Sequence, residues 1–319
     1  MCIFSQPVVA VNNTQIFARA TSRRTQLLVY QMNYESSDVN AMILPIPIRQ
    51  PAREGSLRFI DLRDYGDFFA DLADGFPFTP PFSIGCSASF DPAAGNALEV
   101  FEVGNYVASF APKLSDLSRL DERFTLPNKV WSQIPQYATY GFAVFQLAAG
   151  SLTPHPMAFE FECGDGSIYF PTMHIHDGQI HDAEQFDHVL YLQHAGFDSR
   201  VYAYQNSDVA DRSTGLIRSK DVAWKFCKIG RAGGVVDGDL LVHRKIMRGV
   251  HPNRDVDIET FGDPARPTLN LQSWTSYAPW LVVGAAVAWF FARRARVKRA
   301  KAAADADKQP PEDRDGQGD

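Results

Sequence analysis

The sequence has no excess of positive charge and no excess of glycine or proline, and each of these facts excludes a class of protein. Its 31 Lys and Arg stand against 37 Asp and Glu, which gives a formal net charge of -6. This balance argues against a general nucleic-acid binder, because phosphate recognition needs a basic face. The 22 Gly and 20 Pro are close to average usage, which excludes collagen-like and linker-dominated architectures. No phosphate-cradling glycine loop, nucleophile elbow or paired-carboxylate motif occurs.

Cysteines are few and widely spaced, at Cys2, Cys86, Cys163 and Cys227. A structural zinc site needs cysteines in close pairs, so this spacing does not predict one. The same residues allow several disulfide pairings or none, and they leave the redox compartment undecided.

Apolar residues are plentiful, since 45% of the chain is hydrophobic and 12% is aromatic. A disordered chain does not carry this much apolar material. Most of the chain is therefore expected to fold around a sizeable core, as one large domain or two smaller ones.

Short apolar runs between polar turn clusters predict β-strands through most of the chain. Residues 26–32 and 41–48 are such runs, and Pro45 and Pro47 predict that the second lies at a sheet edge or ends there. Residues 61–73 predict a helix, because Phe68, Phe69 and Leu72 form one apolar face. Further strands are predicted at 7–11, 98–111, 139–147, 157–163, 167–174 and 189–193.

The predicted fold class is α+β, with one or more mostly antiparallel sheets and a few short helices. The globular body is predicted over residues 1–270, either as one unit or as two at about 1–95 and 96–270. A C-terminal transmembrane helix is predicted to follow it.

Residues 274–292 carry no charge, and their length is close to the roughly 20 residues that cross a bilayer as a helix. Aromatic residues mark both ends, as interfacial anchors do: Trp274, Tyr277, Trp280 and Trp289. The basic run that follows begins with Arg293 and Arg294. The alternative interpretation is a buried core helix that ends in a basic run, but such a helix rarely lacks a polar face.

Residues 293–319 are predicted to be a basic juxtamembrane run followed by a disordered tail. The positive-inside rule places this tail in the cytoplasm and the body outside it, on a single-pass membrane protein. Residues 1–7 do not form a signal peptide. Either a signal lies upstream, or the protein is tail-anchored with a cytoplasmic body; we expect the first.

Short motifs resemble an uncharacterised bacterial family, a domain of unknown function. They are Asn-Thr-Gln-Ile-Phe-Ala at 13–18, Tyr-Gln-Met-Asn-Tyr at 30–34, the strand at 40–48, Val-Gly-Asn-Tyr-Val at 103–107, Tyr-Gly-Phe at 140–142 and Tyr-Phe-Pro at 169–171. The resemblance covers about residues 2–175. It implies an exported protein with a C-terminal membrane segment, and the family offers no catalytic residues. The chain departs from the family at its start, where a Cys-flanked glycine and aromatic stretch is reduced to Cys2.

Five of the eight histidines lie close together along the chain: His174, His176, His181, His188 and His194. On a strand, the first two would point to one face, so that both imidazoles could bind one Zn²⁺. One of the other three could complete a catalytic site with a position open for water. The alternative is that these histidines are the solvated polar face of a strand and its turn. Zinc is the one cofactor that the sequence suggests.

Cys2 suggests a second kind of chemistry. Removal of Met1 would expose an amine and a thiol together, as in N-terminal-nucleophile hydrolases. Arg19 stands where such enzymes place an arginine that could hold the thiolate. The Asp and Asn expected after it are replaced by Ala20, Thr21 and Ser22, which weakens the hypothesis.

The sequence favours a non-enzymatic, membrane-tethered protein that presents an acidic body for binding, sensing or envelope-associated interaction. The main alternative is a metal-dependent hydrolase using His174 and His176, and a further one is an N-terminal-nucleophile hydrolase using Cys2. The predicted partners are the lipid bilayer and an unspecified protein or small molecule, with no nucleic acid.

Overall fold

The computed structural model describes residues 3–21, 24–76, 100–103, 106–164, 166–203 and 210–260. The chain divides into two compact units, Met1–Thr268 and Leu269–Asp319, and all of these residues belong to the first. The α-helices are short: α1 Phe68–Asp74, α2 Asn128–Trp131 and α3 Ala195–Asp198. The strands are β1 Ile3–Phe4, β2 Ala10–Ala20, β3 Thr25–Ser36, β4 Asn40–Ile46, β5 Leu57–Ile60, β6 Val100–Val103, β7 Tyr106–Ala111, β8 Gly141–Leu147, β9 Gly150–Leu152, β10 Met157–Glu162, β11 Ser167–Phe170, β12 Ala183–Gln193, β13 Ile217–Val222, β14 Leu241–Pro252 and β15 Val256–Glu259.

The strands form two large sheets and a small one. The five-stranded sheet has the order β1-β4-β8-β7-β6, and the eight-stranded sheet has the order β13-β14-β12-β2-β3-β10-β5, with β9 paired to β3. Strands β11 and β15 form a separate pair. Neighbours are antiparallel, except that β2 and β12 run parallel. The described residues therefore form mostly antiparallel sheets with few helices.

The main core lies between the two large sheets. It joins residues such as Met42 and Phe145 from the five-stranded sheet to Ile16, Leu28 and Leu190 from the eight-stranded one. Side chains alternate between the two faces of a strand, so each sheet also presents apolar residues outward. Burial of the inward-facing apolar side chains is what stabilises two stacked sheets.

The outer face of the eight-stranded sheet is covered at one end by α1. Phe68, Phe69 and Leu72 of this helix pack on Phe17 and Tyr191 of the sheet. Because both faces of β3 are thus covered, its sequence is a continuous apolar run and not an alternating one. A third cluster, which includes Trp131 and Tyr137, covers the outer face of the five-stranded sheet.

Pro45 lies inside a sheet and not on an edge strand, because β4 is flanked by β1 and β8. Strand β1 is only two residues long and pairs with β4 at Met42 and Ile43. Pro45 therefore lies beyond the end of β1, where no donor to that strand is required.

The predicted C-terminal transmembrane helix requires correction. Within the described part of the chain, no helix is long and apolar enough to cross a membrane. The segment on which the prediction rested, residues 274–292, lies outside the described residues. The regular structure of the described residues therefore consists of sheets and short helices.

Candidate functional site

His174 and His176 lie in the segment after β11, which runs beside the first strand of the chain. Ile175 forms a parallel bridge with Ile3, and the Phe4 N–H donates to the Ile175 carbonyl over 3.0 Å. The rings of His174 and His176 stack with centroids 5.1 Å apart and planes 19° apart. The structure therefore brings these two residues together, as their alternating positions predict.

A third histidine from β12 completes this group. His188 stacks on His174 with centroids 5.1 Å apart, and their Nε2 atoms are separated by 3.4 Å. Phe186 lies 4.3 Å from His174 and 4.6 Å from His188, centroid to centroid. We call His174, His176, His188 and Phe186 the histidine stack. Asn253 holds one end of it, because its side chain exchanges hydrogen bonds with the main-chain N–H and carbonyl of His174.

Burial sets the charge of the histidine stack. His174 and His188 have no exposed surface, and desolvation lowers the pKa of both far below that of a free imidazole. Desolvation also lowers the pKa of His176, to about 4. The three rings are therefore neutral at neutral pH.

The predicted metal site is wrong for the described residues, which contain no group of three or more His, Cys, Asp or Glu able to hold a metal ion. The other two candidates have different partners. His181 is exposed and bonds to Asp177 over 3.1 Å, while the His194 Nδ1 accepts the Gly196 N–H at the start of α3.

Two buried groups near the start of β14 were not predicted from the sequence. Asp198 accepts the Leu241 N–H, and its Oδ1 lies 3.7 Å from the His243 Nε2. Burial raises the pKa of Asp198 to about 7 and lowers that of His243 to about 3. Neighbouring Ser219 has a fully buried hydroxyl that donates to the Asp221 carbonyl and accepts the Val242 N–H. A serine held in this way cannot reach a substrate.

Asp255 is a half-buried carboxylate that the sequence did not reveal. It accepts the Tyr137 and Tyr169 hydroxyls over 2.6 and 2.7 Å and the N–H groups of Thr172 and Met173 over 2.9 and 3.0 Å. Burial raises its pKa, and these hydrogen bonds oppose the shift. With four donors around it, Asp255 joins the turn after β14 to the segment that carries the histidine stack.

Arg19 holds a loop through its guanidinium group. Its Nε donates to the Val235 carbonyl over 2.7 Å, and its Nη2 donates to the Gly234 carbonyl over 2.6 Å. Desolvation lowers its pKa. Cys2, the proposed nucleophile, lies outside the described residues. So do the predicted membrane-anchor residues, Trp274, Tyr277, Trp280, Trp289, Arg293 and Arg294.

The loop between β13 and β14, residues 223–240, which Arg19 contacts at 234 and 235, presents an exposed aromatic side chain. Trp224, in the 3₁₀ helix Ala223–Lys225, has 53% of its surface exposed. The Lys225 Nζ lies 3.8 Å from the centre of its ring, within the range of a cation–π interaction. A Cβ built on Gly238 would contact both Trp224 and Ile229, so these three residues are neighbours. We call Trp224, Lys225 and Ile229, together with Lys220 and Arg231, two exposed cations within seven sequence positions of Trp224, the Trp224 surface.

Main-chain and side-chain hydrogen bonds hold this surface in place. The Trp224 N–H donates to the Gly238 carbonyl and the Ala223 N–H to the Leu240 carbonyl, over 3.0 and 2.9 Å. The Gln193 side chain exchanges two hydrogen bonds with the main chain of Asp237. The Lys228 N–H donates to the Tyr65 hydroxyl. The one sequence signal for this surface is a tryptophan followed directly by a lysine.

No protein-family model matches the sequence, and no curated protein matches it. Solved structures of a baculovirus protein, P35, show a distant likeness. The crystal structure of baculovirus P35 is 14% identical, with a TM-score of 0.39 over 82% of this chain and 100% of that chain. A mutated baculovirus P35 after caspase cleavage is 15% identical, with a TM-score of 0.41 over 78% of this chain and 99% of that one. The caspase-8/P35 complex is 14% identical, with a TM-score of 0.38 over 79% of this chain and 97% of that one. A likeness at this level supports no assignment of function.

Proposed function

We propose that this chain is a non-enzymatic binding protein that contacts its partner through the Trp224 surface. The observation that carries the proposal is the 53% exposure of Trp224 on a loop held by hydrogen bonds from several elements. Tryptophan and arginine are the residues that most often dominate binding energy at protein interfaces. A rigid support reduces the conformational entropy that such a residue loses on binding.

The burial of three histidines and of Cys227 supports binding and not catalysis. His174, His188 and His243 are excluded from solvent, and a catalytic group has to come within hydrogen-bond reach of a substrate. Cys227 is buried, and burial raises the pKa of its thiol to about 12. A thiol with so high a pKa is a poor nucleophile at neutral pH.

A selection from a random-peptide display library tests the proposal, with the immobilised full chain as bait. Trp224→Ala should abolish enrichment of the recovered sequences. Tyr202→Ala is the matched control, because Tyr202 is another exposed aromatic residue, at 62%, and it should leave enrichment unchanged. No enrichment on the unmodified chain, or equal enrichment on Trp224→Ala, would contradict the proposal.

A further inference from the structure

We infer that the partner is a short acidic segment of another polypeptide, with an apolar side chain beside its carboxylates. This inference rests on the proposed function and adds the chemistry of the ligand. It is carried by the charge and the shape of the Trp224 surface.

The Trp224 surface is locally basic in an acidic protein. Residues 220–231 contain four exposed cations, Lys220, Lys225, Lys228 and Arg231, and one exposed acid, Asp221. Lys228 is already paired, since its Nζ lies 3.4 Å from Asp67 and 3.2 Å from Asp71.

The other three cations have no ion pair within the described part of the chain. No carboxylate oxygen of a described residue lies within 4.0 Å of the charged nitrogens of Lys220, Lys225 or Arg231. Other exposed arginines do have such partners: Arg58 pairs with Glu160, Arg63 with Asp61 and Arg123 with Asp121. Cations left unpaired beside an exposed aromatic residue are complementary to an acidic ligand.

Nearby acids limit how much negative charge this surface can attract. Asp239 is exposed beside it, and Asp237 lies 4.0 Å from Arg19. The chain as a whole carries a net charge of -6, so its long-range field repels a polyanion. A nucleic acid or an anionic membrane, which presents many charges over a wide area, is therefore a poorer fit than a short peptide.

The position of Lys225 over the indole defines the shape of the ligand. A carboxylate that binds Lys225 must approach next to the Trp224 ring, because the Nζ lies 3.8 Å from the ring centre. The uncovered part of the ring and the half-buried Ile229 then offer apolar contacts to the neighbouring ligand residue. The surface therefore favours an acidic residue next to a leucine or an aromatic residue.

Fluorescence anisotropy of labelled peptides on the full chain tests this inference. A peptide rich in Glu and Leu should bind, and the same peptide with Lys in place of Glu should not. The double substitution Lys225→Glu and Arg231→Glu should weaken binding about tenfold or more. The matched control is Lys113→Glu with Lys129→Glu, which makes the same charge change at two exposed lysines on other elements, and it should keep the affinity of the unmodified chain. An unchanged melting temperature should show that both double variants remain folded.

Three results would overturn the inference. The first is no binding of the Glu and Leu peptide, or equal binding to both double variants. The second is binding of oligothymidine or of phosphatidylserine vesicles that Lys225→Glu with Arg231→Glu abolishes, which would make the ligand a polyanion. The third is self-association of the chain that the same double substitution abolishes, which would make the ligand a second copy.

The proposed function can survive a failure of the acidic-ligand inference. If peptide display yields ligands that depend on Trp224 but are not acidic, then the acidic partner is wrong and the binding function stands. If no ligand depends on Trp224, then both are wrong.

Discussion

The Nε2 atoms of His174 and His188 lie 3.4 Å apart in the interior, where their rings are stacked and neither reaches solvent. Two protonated imidazoles at this separation would repel strongly in a region of low dielectric. The histidine stack is therefore compatible with neutral rings only. Its place beside β1 links the protonation state of these rings to the stability of the fold.

The free energy of unfolding is expected to decrease as the pH falls below about 6.5, the pKa of histidine in an unfolded chain. Desolvation lowers the folded-state pKa of His174, His188 and His176, the last to about 4. Between the two pKa values the unfolded chain binds protons that the folded chain does not. Each histidine therefore adds a slope of up to about 1.4 kcal/mol per pH unit.

Buried carboxylates have the opposite effect on how the free energy of unfolding depends on pH. A matched variant is therefore needed to separate the contribution of the histidines. Burial raises the pKa of Asp198 to about 7, and its protonation stabilises the folded state as the pH falls. Urea unfolding of His176→Gln should show a shallower loss of stability between about pH 6.5 and about pH 4 than the unmodified chain. His181→Gln removes an exposed ring whose pKa is raised by Asp177, and it should not reduce the slope. Identical curves for His176→Gln and the unmodified chain would contradict this explanation.

Asp255→Asn is expected to destabilise the fold by about 2–4 kcal/mol. The carboxylate now accepts hydrogen bonds from two hydroxyls and two N–H groups. The amide would place its NH₂ group, which is itself a donor, against some of these donors. Asp257→Asn is the control, because Asp257 accepts one long hydrogen bond, 3.4 Å from the Ser167 hydroxyl, and it should have a much smaller effect. Urea unfolding at neutral pH measures both, and equal losses would show that the Asp255 network does not stabilise the fold.

Gly141→Ala is expected to destabilise the fold by about 1–3 kcal/mol. A Cβ at this first residue of β8 would lie 2.7 Å from the Phe110 ring and 2.9 Å from Ile48. Gly66→Ala offers a comparison in open space, since a Cβ there meets nothing within 4 Å. Thermal unfolding should show a clear drop in melting temperature for Gly141→Ala alone. An unchanged melting temperature of Gly141→Ala would contradict this prediction, because it would mean that the sheet accommodates the added methyl group with no loss of stability.

Arg19→Met should loosen the loop that carries the Trp224 surface. The substitution removes the donors to the Gly234 and Val235 carbonyls and keeps an apolar stem of similar length. Amide hydrogen exchange in residues 233–240 should become faster, because local opening costs less when these bonds are absent. Arg58→Met removes an exposed ion pair with Glu160 and should leave exchange in this loop unchanged. Exchange in Arg19→Met as slow as in the unmodified chain would show that other contacts are enough to hold the loop closed.

Local sequence patterns predicted many of the elements. The apolar run at 26–32 lies within β3. The helix predicted at 61–73 is confirmed only in its second half, because α1 begins at Phe68. The approach of His174 and His176 could also be predicted, because positions two apart on an extended segment project to the same side. The burial and stacking of these rings could not, because they depend on Phe186 and His188 from another strand. Without that information, neighbouring histidines suggested a metal site.

The remaining features depend on contacts between residues far apart in sequence. Asp255 accepts a hydrogen bond from Tyr137, which is 118 residues away in the sequence. Arg19 donates one to Val235, which is 216 residues away. No local pattern contains such pairs. The uncharged segment at 274–292 is a case in which a local pattern predicted too much. Its composition alone suggested a transmembrane helix, and the described residues contain no such helix.

Amide hydrogen exchange of the full chain, with and without a peptide recovered from the display selection, tests the binding surface most directly. Protection is expected in residues 220–240, because ligand contact at Trp224 would cover this loop and suppress its opening. Protection confined to other parts of the chain, with residues 220–240 unchanged, would contradict the assignment of the Trp224 surface as the binding site.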